Sequence, residues 1–261
     1  MAQPILEFAS LGSGSKGNAT LVRCGATILL VDCGFGVKET SKRLEKFGLT
    51  GHDLSAILVT HEHGDHTKGV GPVARKFKLP VYMTPGTHVS RDYGVLSELC
   101  LIKAYQPFSL GSIDVTPVAV PHDAREPAQY VFTCDGVKLG VLTDLGSITP
   151  HVLEAYADCQ GLLVEANHDL EMLAAGPYPP SLQARVSGPW GHLNNYQAAE
   201  FLRCVATNPL QHLVIGHLSE KNNCLSRVKL ALYDVIENHH NVLFASQNDG
   251  FDFLSLHSTE N

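Results

Sequence analysis

Three histidines and an aspartate, side chains that commonly bind metals, lie within six residues of this chain, in the segment HEHGDH at 61–66. The segment follows the apolar run 56–59, so we expect it in a loop at a strand end, where a rigid scaffold can aim side chains. Imidazoles two residues apart can converge on one ion. Gly64 lets the chain turn sharply, so that Asp65 and His66 face a second ion nearby. The spacing therefore predicts a metal site, of a kind that suits zinc, iron or manganese.

Three further potential ligands also follow predicted strands: His122, Asp144 and His217. Each alone fits a surface or capping residue equally well, but the repeated order of strand and then metal-binding side chain favours a shared site. Asp32 follows the apolar run 28–31 in the same way. We expect its carboxylate to orient the loop or a ligand imidazole by hydrogen bonds.

The composition is that of an ordinary globular protein and argues against several other classes of protein. The chain has 261 residues, 44% hydrophobic and 17% charged, and a formal net charge of −7. An acidic chain is a poor candidate for a broad, sequence-independent nucleic-acid surface, although bound metal ions reverse the sign inside a cleft. The seven cysteines form no C-x-x-C pair, which favours reduced core thiols. With no secretory signal and no bilayer-spanning run, we expect a cytoplasmic protein without membrane partners.

Hydrophobic periodicity predicts an α/β fold. Strands are expected at 5–9, 20–23, 27–31, 56–59, 113–120, 130–134, 138–142, 162–164, 213–215, 242–244 and 251–256, and helices at 37–47, 70–77, 198–205 and 225–236. Asp135-Gly136 predicts a hairpin turn. Residues 176–191, with four prolines, form the one long stretch expected to be irregular, and such a loop is more often functional than idle. We expect two mixed sheets covered by helices, in one domain spanning residues 1–261.

The order and spacing of these ligands resemble the metallo-β-lactamase superfamily over nearly the whole chain. The resemblance implies an αββα sandwich, with two mixed sheets face to face and helices on both outer faces. It also implies two divalent metal ions. Zn²⁺ is expected, with Mn²⁺ and Fe²⁺ as alternatives. By this resemblance the first ion is held by His61, His63 and His122. The second is held by Asp65, His66 and His217, and Asp144 bridges both.

Six further segments resemble the bacterial YycJ/WalJ-type branch: GSGSKGN at 12–18, PHDA at 121–124, TDLG at 143–146, EANHD at 165–169, GHLNN at 191–195 and HLSEKNN at 217–223. That branch is similar to the phosphodiester-cleaving ribonucleases Z and J and is associated with 5′-to-3′ DNA exonuclease activity. The resemblance therefore implies a phosphodiesterase that uses a metal-bridging hydroxide on nucleic-acid ends or a small phosphodiester. Asp65 is then the candidate for steering the proton of the attacking water.

Several residues near these motifs are candidates for catalysis or substrate contact, each with a plainer alternative. His168 and His192 are either surface or helix-start histidines, or phosphate contacts and proton donors. Arg185 is either solvated or paired with phosphate. The Gly-rich loop either cradles an anion with its N–H groups or is a plain turn. Asn194 stands where the branch usually has Ser, and it either contacts substrate or caps a helix. The substrate candidates are Ser13, Ser15, Asn18, Asn167, Arg185 and Asn194.

Three rival functions use the same motif. An acyl hydrolase acting on a thioester or lactam is the alternative, although the glyoxalase branch does not explain EANHD or GHLNN. A flavodiiron-type redox enzyme has Glu where this chain keeps His63. A non-enzymatic binding module is expected to lack a ligand, and all seven positions are filled. We also expect Cys33, next to Asp32, to be a buried core residue rather than a nucleophile.

Overall fold

A computed structural model describes residues 5–207, 209–239 and 241–258. The ends of the predicted domain, 1–4 and 259–261, lie outside these ranges. The strands are β1 (Leu6–Gly12), β2 (Ala19–Cys24), β3 (Thr27–Val31), β4 (Ala56–Leu58), β5 (Pro80–Met83), β6 (Glu98–Leu101), β7 (Phe108–Leu110), β8 (Ile113–Ala119), β9 (Ala128–Cys134), β10 (Val137–Leu142), β11 (Gly161–Glu165), β12 (His212–Gly216), β13 (Val242–Phe244) and β14 (Phe251–Leu256). The helices are α1 (Val37–Glu45), α2 (Gly64–Thr67), α3 (Val70–Phe77), α4 (Pro85–Ser90), α5 (Pro150–Tyr156), α6 (Leu170–Ala175), α7 (Pro180–Val186), α8 (Asn195–Val205), α9 (Leu225–Ala231) and α10 (Tyr233–Asn238).

These strands form two seven-stranded mixed sheets, in the orders β14-β1-β2-β3-β4-β5-β6 and β13-β12-β11-β10-β9-β8-β7. Between the sheets lies an apolar layer to which both contribute, including Phe8 and Val31 from one and Phe132 and Leu163 from the other. Helices α1 and α3 cover the first sheet, and α5, α8 and α9 cover the second. All five positions of β11 are buried, as expected of a strand covered on both faces. The predicted αββα sandwich is confirmed.

Parallel pairing brings the predicted site residues to one edge of the sandwich. Strand β3 pairs in parallel with β4, and β10, β11 and β12 are parallel to one another. The carboxyl ends of parallel strands meet at the same edge of a sheet, which is where ligand sites form in such folds. Asp32, the loop 61–66, Asp144 and His217 therefore come together although they are far apart in sequence.

Two of the predicted elements differ from the structure. The stretch 176–191 is not irregular throughout, because α7 occupies its middle; α7 begins at Pro180, whose fixed φ suits a first helical position. The single helix expected at 225–236 is two helices that meet at Leu232. The Asp135-Gly136 turn is confirmed, with φ of 47° and 78° in the left-handed region that this hairpin type requires. Helix α2, strands β5 to β7 and helices α4 to α6 were not predicted, and the HEHGDH segment, expected in a loop, is helical from Gly64.

The cysteines do not all behave as reduced core thiols. Cys24, at the end of β2, forms a disulfide with Cys134, at the end of β9, and so links the two sheets. Of the free cysteines, Cys33 and Cys159 are buried, whereas Cys204 and Cys224 are exposed. The prediction of seven reduced core thiols is therefore wrong. Spacing along the chain carried no sign of this pair, because the packing of two sheets sets its separation.

This disulfide leads to a first testable outcome. Unfolded, unreduced protein is expected to take up five alkyl groups from iodoacetamide, one at each free cysteine. After reduction it should take up seven, the full cysteine count of the chain. Intact-mass spectrometry of both samples measures the difference. Seven groups without reduction, in protein purified under air, would show that Cys24 and Cys134 are not bonded.

Within the described ranges, none of the helices combines the length and apolar character needed to cross a bilayer.

Candidate metal centre

Three imidazoles converge where β4 and β8 end. His61 Nε2 lies 3.0 Å from His63 Nδ1, and His122 Nε2 lies 3.3 Å from the same nitrogen. The ligand atoms of the three residues lie within 4.8 Å of one another. Three imidazole nitrogens that face a common point form a three-histidine metal site with room for a further ligand.

A second group lies beside the first, and one aspartate reaches both. Ligand atoms of Asp65, His66 and His217 also lie within 4.8 Å of one another. Asp144 Oδ2 lies 3.3 Å from His66 Nε2, and its Oδ1 lies 3.9 Å from His122 Nε2. The sequence order of the predicted ligands thus matches two adjacent groups that share a carboxylate.

Asp144 provides a direct test of whether these residues fit a cation. Its side chain is buried, and Oδ2 has no hydrogen-bond partner among the described residues. A buried carboxylate oxygen without a donor is costly, whereas a bound cation would satisfy it. The donor set of imidazoles and carboxylates is also one that divalent transition metals accept. The residues therefore fit a divalent metal centre.

The remote ring nitrogens of three of the histidines are held by hydrogen bonds, which fixes Nε2 as the free ligand atom. Each Nδ1–H donates to one oxygen: His66 to the Asp32 carboxylate (2.7 Å), His122 to the Gly191 carbonyl (2.9 Å) and His217 to the Thr143 carbonyl (2.6 Å). Imidazoles fixed in this way cannot rotate freely away from the centre, so the site is preorganised.

Asp32 and His217 are held in backbone conformations that non-glycine residues rarely adopt, with φ of 60° and 50°. The Asp32 carboxylate accepts both the backbone N–H and the hydroxyl of Thr60, each at 2.8 Å, in addition to His66. The His217 N–H donates to Ser13 Oγ at 2.9 Å, and the Asn167 amide donates to the His217 carbonyl at 3.1 Å. These hydrogen bonds stabilise the strained conformations that aim the ligand groups.

The pKa shifts of the histidines differ between the two metal-binding groups. Burial lowers the pKa of His61 well below its ordinary value and that of His122 to about 4, so both imidazoles present lone pairs. Burial would also lower the pKa of His66 and His217, but the surrounding carboxylates, with Asp144 the strongest, together outweigh it and raise both well above the usual range. A metal ion that binds there must displace those protons, so metal binding is expected to release protons.

Beside the centre lies a glutamate–histidine pair. His192 Nδ1 lies 3.0 Å from Glu165 Oε2, at the end of β11. Glu165 is fully buried, and its other oxygen accepts the N–H groups of Leu145 (2.5 Å) and Leu193 (3.3 Å). Burial opposes protonation of His192, but Glu165 and Asp144 raise its pKa above the ordinary value. The two carboxylates therefore favour the protonated form of this imidazole.

A beta-lactamase superfamily domain model matches residues 27–217. The chain belongs to the metallo-β-lactamase superfamily. It is 35% identical to an exodeoxyribonuclease YycJ of Bacillus anthracis over 89% of both chains. It is 34% identical to an exodeoxyribonuclease WalJ of Streptococcus pneumoniae serotype 2 over 85% of both. These identities place it in the YycJ/WalJ-type branch, as the motifs predicted.

Solved structures confirm the metallo-β-lactamase fold. The metallo-β-lactamase fold protein YhfI of Bacillus subtilis matches with a TM-score of 0.73 and 17% identity, over 96% of this chain and 99% of that one. The short form of human tRNase Z matches with a TM-score of 0.67 and 18% identity, over 97% and 100%. At such low identities these likenesses concern the fold alone.

The Gly-rich loop is held largely by hydrogen bonds within the protein. Five of its N–H groups donate to protein acceptors: Ser13 to the Ser246 carbonyl, Gly14 to Asn18 Oδ1, Lys16 to Gln247 Oε1, Gly17 to the Gly14 carbonyl and Asn18 to the Asp65 carbonyl. Ser15 is exposed. The Asn18 amide approaches Asp65 Oδ2 (3.3 Å) and His66 Nε2 (3.0 Å), so this side chain contacts ligand atoms of the centre directly.

His168 and Asn194 both lie beside helix starts. His168 is not a surface histidine, because its side chain is fully buried and both ring nitrogens lack a partner among the described residues. It is also absent from the described residues that line the cavity over the centre. The Asn194 oxygen accepts the N–H groups of Tyr196 and Gln197 and forms a capping box at the start of α8. The Asn194 side-chain oxygen therefore caps this helix.

Arg185 lies at that cavity but pairs with a carboxylate of the protein. The cavity measures about 310 Å³ and is bounded by the centre on one side and by α7 on the other. Arg185 Nε donates to Asp123 Oδ2. The other oxygen of Asp123 lies 3.4 Å from His122 Nε2 and 3.7 Å from His63 Nε2. Arg185, which we expected either to be solvated or to pair with phosphate, is therefore ion-paired within the protein.

Cys33 is a buried core residue, as predicted. Its thiol lies 3.5 Å from Thr40 Oγ1 and 3.6 Å from the Phe35 carbonyl, and burial raises its pKa to about 12. A thiol that keeps its proton is not a nucleophile.

Sequence reasoning missed Glu165 and Asp123. Both carried a usable signal: Glu165 ends a strand in the same way as the predicted ligands, and Asp123 directly follows His122.

Proposed function

We propose that this protein is a metal-dependent phosphodiesterase that removes nucleotides from DNA ends in the 5′-to-3′ direction. The observation that carries the proposal is the Glu165–His192 pair. His192 Nδ1 lies 3.0 Å from Glu165 and 3.5 Å from Asp144, beside the metal-binding groups, and these carboxylates favour its protonated form. Cleaving a phosphodiester expels a sugar oxygen, which leaves far more readily once it is protonated. The names of the two bacterial relatives support the same substrate class.

Two divalent ions, with Zn²⁺ the expected metal, are assigned to the two groups that the structure brings together. His61, His63 and His122 would hold the first, and Asp65, His66 and His217 would hold the second, with Asp144 shared. Such a pair supplies an acidified water and positive charge for the phosphate oxygens. Asp32, Thr143 and Gly191 hold the ligand rings at their remote nitrogens.

The chain's own groups then have separate tasks. Glu165 accepts the Nδ1–H of His192 and keeps the ring charged, which leaves Nε2–H as the donor for the departing oxygen. Asp65 is the candidate for steering the proton of the attacking water, and the Asn18 amide holds that carboxylate at 3.3 Å. Burial would raise the pKa of Asp65, but His66 and His217 outweigh it and hold that pKa well below the usual range, so Asp65 steers this proton as a weak base. We assign the proton donor to His192 rather than His168, because His192 lines the cavity.

The thioesterase form of the acyl-hydrolase alternative is less well supported by the same pair. A thiolate departs without protonation, so a thioesterase has little use for a charged imidazole held by a buried glutamate. A redox function has no support from the site, since His63 occupies the position that glutamate takes in flavodiiron enzymes.

A substrate panel tests the proposal. Metal-loaded protein is expected to cleave end-labelled DNA and bis-p-nitrophenyl phosphate faster than a thioester or a lactam. The label position then reports direction: loss of a 5′-terminal mononucleotide before any 3′ label supports 5′-to-3′ cleavage. If the thioester or lactam is hydrolysed faster than every nucleic acid, the acyl-hydrolase assignment replaces this one.

Metal content is a second expected outcome. Protein purified without chelators should approach two transition-metal ions per chain by elemental analysis, because the ligand groups are distinct and share Asp144. Titration of chelator-treated protein with Zn²⁺ gives the saturation point. Saturation at one ion in excess Zn²⁺ or Mn²⁺ would contradict the dinuclear assignment.

We also propose that the protein acts in the cytoplasm of a bacterium, where chromosomal DNA ends occur and where the named relatives originate.

A further inference from the structure

The cavity over the metal-binding groups has two chemically different walls. One wall consists of the charged and metal-binding side chains His63, Asp65, Asp144 and His192. The opposite wall is the α7 segment, which presents Leu182 and Val186, with Tyr178 just before the helix. Leu182 and Val186 are four residues apart and so lie on the same face of α7. The walls match the two halves of one nucleotide: a phosphate, and a base that packs against apolar and aromatic side chains.

The size of the cavity fits a single bound nucleotide. At about 310 Å³, it is at the lower end of the range of roughly 300–1,000 Å³ that small-molecule sites occupy. A volume of this size suits one nucleotide.

Helix α7 is fixed against the centre by backbone contacts and cannot swing freely. A side chain on Gly191 would place its Cβ 2.2 Å from the Val186 carbonyl oxygen, so only glycine permits this approach. The His192 N–H donates to the same carbonyl at 2.9 Å. Because the Gly191 carbonyl orients His122, the position of α7 is tied to the metal ligands.

One ion pair joins the two walls. Arg185, on α7, pairs with Asp123, whose other oxygen faces His63 and His122. A strand that continues beyond the scissile phosphate must leave the cavity on both sides. Both residues line the cavity, and their contact closes the gap between α7 and the metal-binding side at that point, so it obstructs one of those paths.

We propose that α7 and the Asp123–Arg185 pair form an end-stop that restricts cleavage to strand termini. One terminal nucleotide is held with its base against Tyr178, Leu182 and Val186, and the ion pair prevents an uninterrupted strand from passing through. This inference rests on the proposed phosphodiesterase function and names its substrate more narrowly: a free end of single-stranded nucleic acid.

Linear and covalently closed circular single-stranded DNA of the same sequence test the end-stop, with metal-loaded protein in both cases. Wild type is expected to cleave the linear form at least 100-fold faster than the circle. Arg185→Gln removes the ion pair and should lower that ratio at least tenfold through new cleavage of the circle. Arg185→Lys keeps the charge and should retain the wild-type ratio.

Arg203→Gln is the matched control. Arg203 is as exposed as Arg185 (52% against 56% of the side chain) and also pairs with an aspartate, Asp234, but it is not among the described residues lining this cavity. It should leave the ratio unchanged.

A wild-type ratio below ten, or an Arg185→Gln variant with an unchanged ratio, would overturn the end-stop. So would equal loss of activity on both DNA forms in that variant, because Arg185 would then belong to substrate binding. These results differ from failure of the proposed function, in which wild type hydrolyses neither DNA form nor bis-p-nitrophenyl phosphate.

Discussion

Asp144→Ala is expected to abolish turnover, with a loss of more than about 10³-fold, beyond the roughly 10²–10³ that removal of a single charge-stabilising group costs. The reason is its position: one oxygen faces His66 and the other faces His122, so this carboxylate serves both metal-binding groups. Without it, two cations held close together would repel each other with no shared anion between them. Steady-state cleavage of end-labelled DNA measures the loss.

The same variant should remain folded. Asp144 borders the cavity, so the space left by its carboxylate opens to solvent, and its Oδ2 has no hydrogen-bond partner among the described residues. Asp144→Asn, which keeps the shape but not the charge, should be nearly as inactive. Asp114→Ala, at an exposed aspartate of β8, is the control and should behave as wild type. Urea denaturation compares the free energies of unfolding. An Asp144 variant that keeps a substantial fraction of wild-type turnover would contradict the bridging assignment.

His192→Ala is expected to reduce DNA cleavage by about 10²-fold or more, the scale of losing one general acid. The physical reason is the Glu165 carboxylate, 3.0 Å from Nδ1, which raises the pKa of the ring and keeps it charged. Hydrolysis of bis-p-nitrophenyl phosphate should fall much less, because p-nitrophenolate departs without protonation. Comparing kcat for the two substrates therefore isolates proton donation from phosphate binding.

Metal content is the companion measurement for this variant. It should stay at the wild-type level, because His192 is assigned no metal. His151→Ala, at an exposed histidine of α5, is the control and should change neither substrate's rate. Equal losses on both substrates, together with a lost metal ion, would make His192 a ligand, and the proton-donor assignment would be wrong.

Much of the metal centre could be predicted from the sequence, because each ligand is recognised by the residues that directly precede it along the chain. The HEHGDH segment lies directly after a short buried strand, and Asp32, Asp144 and His217 each follow a strand in the same way. In parallel strands the carboxyl ends share one edge, so a run of apolar residues followed by His or Asp already specifies where the side chain will lie. Apolar periodicity likewise predicted most strands of both sheets, since a two-residue or 3.6-residue repeat is a property of neighbouring residues.

The tertiary structure alone decided which groups face one another across the sandwich. The Cys24–Cys134 bond joins residues on different sheets. The roles of Glu165, Asp123 and Arg185 arise from contacts between segments 27 to 62 residues apart in sequence. The pattern of one segment cannot report which distant segment packs against it, or whether a histidine such as His168 ends in the interior. Distances between segments, burial and the pKa values they set depend on the packing of both sheets and their helices, and they exist only once the chain has folded.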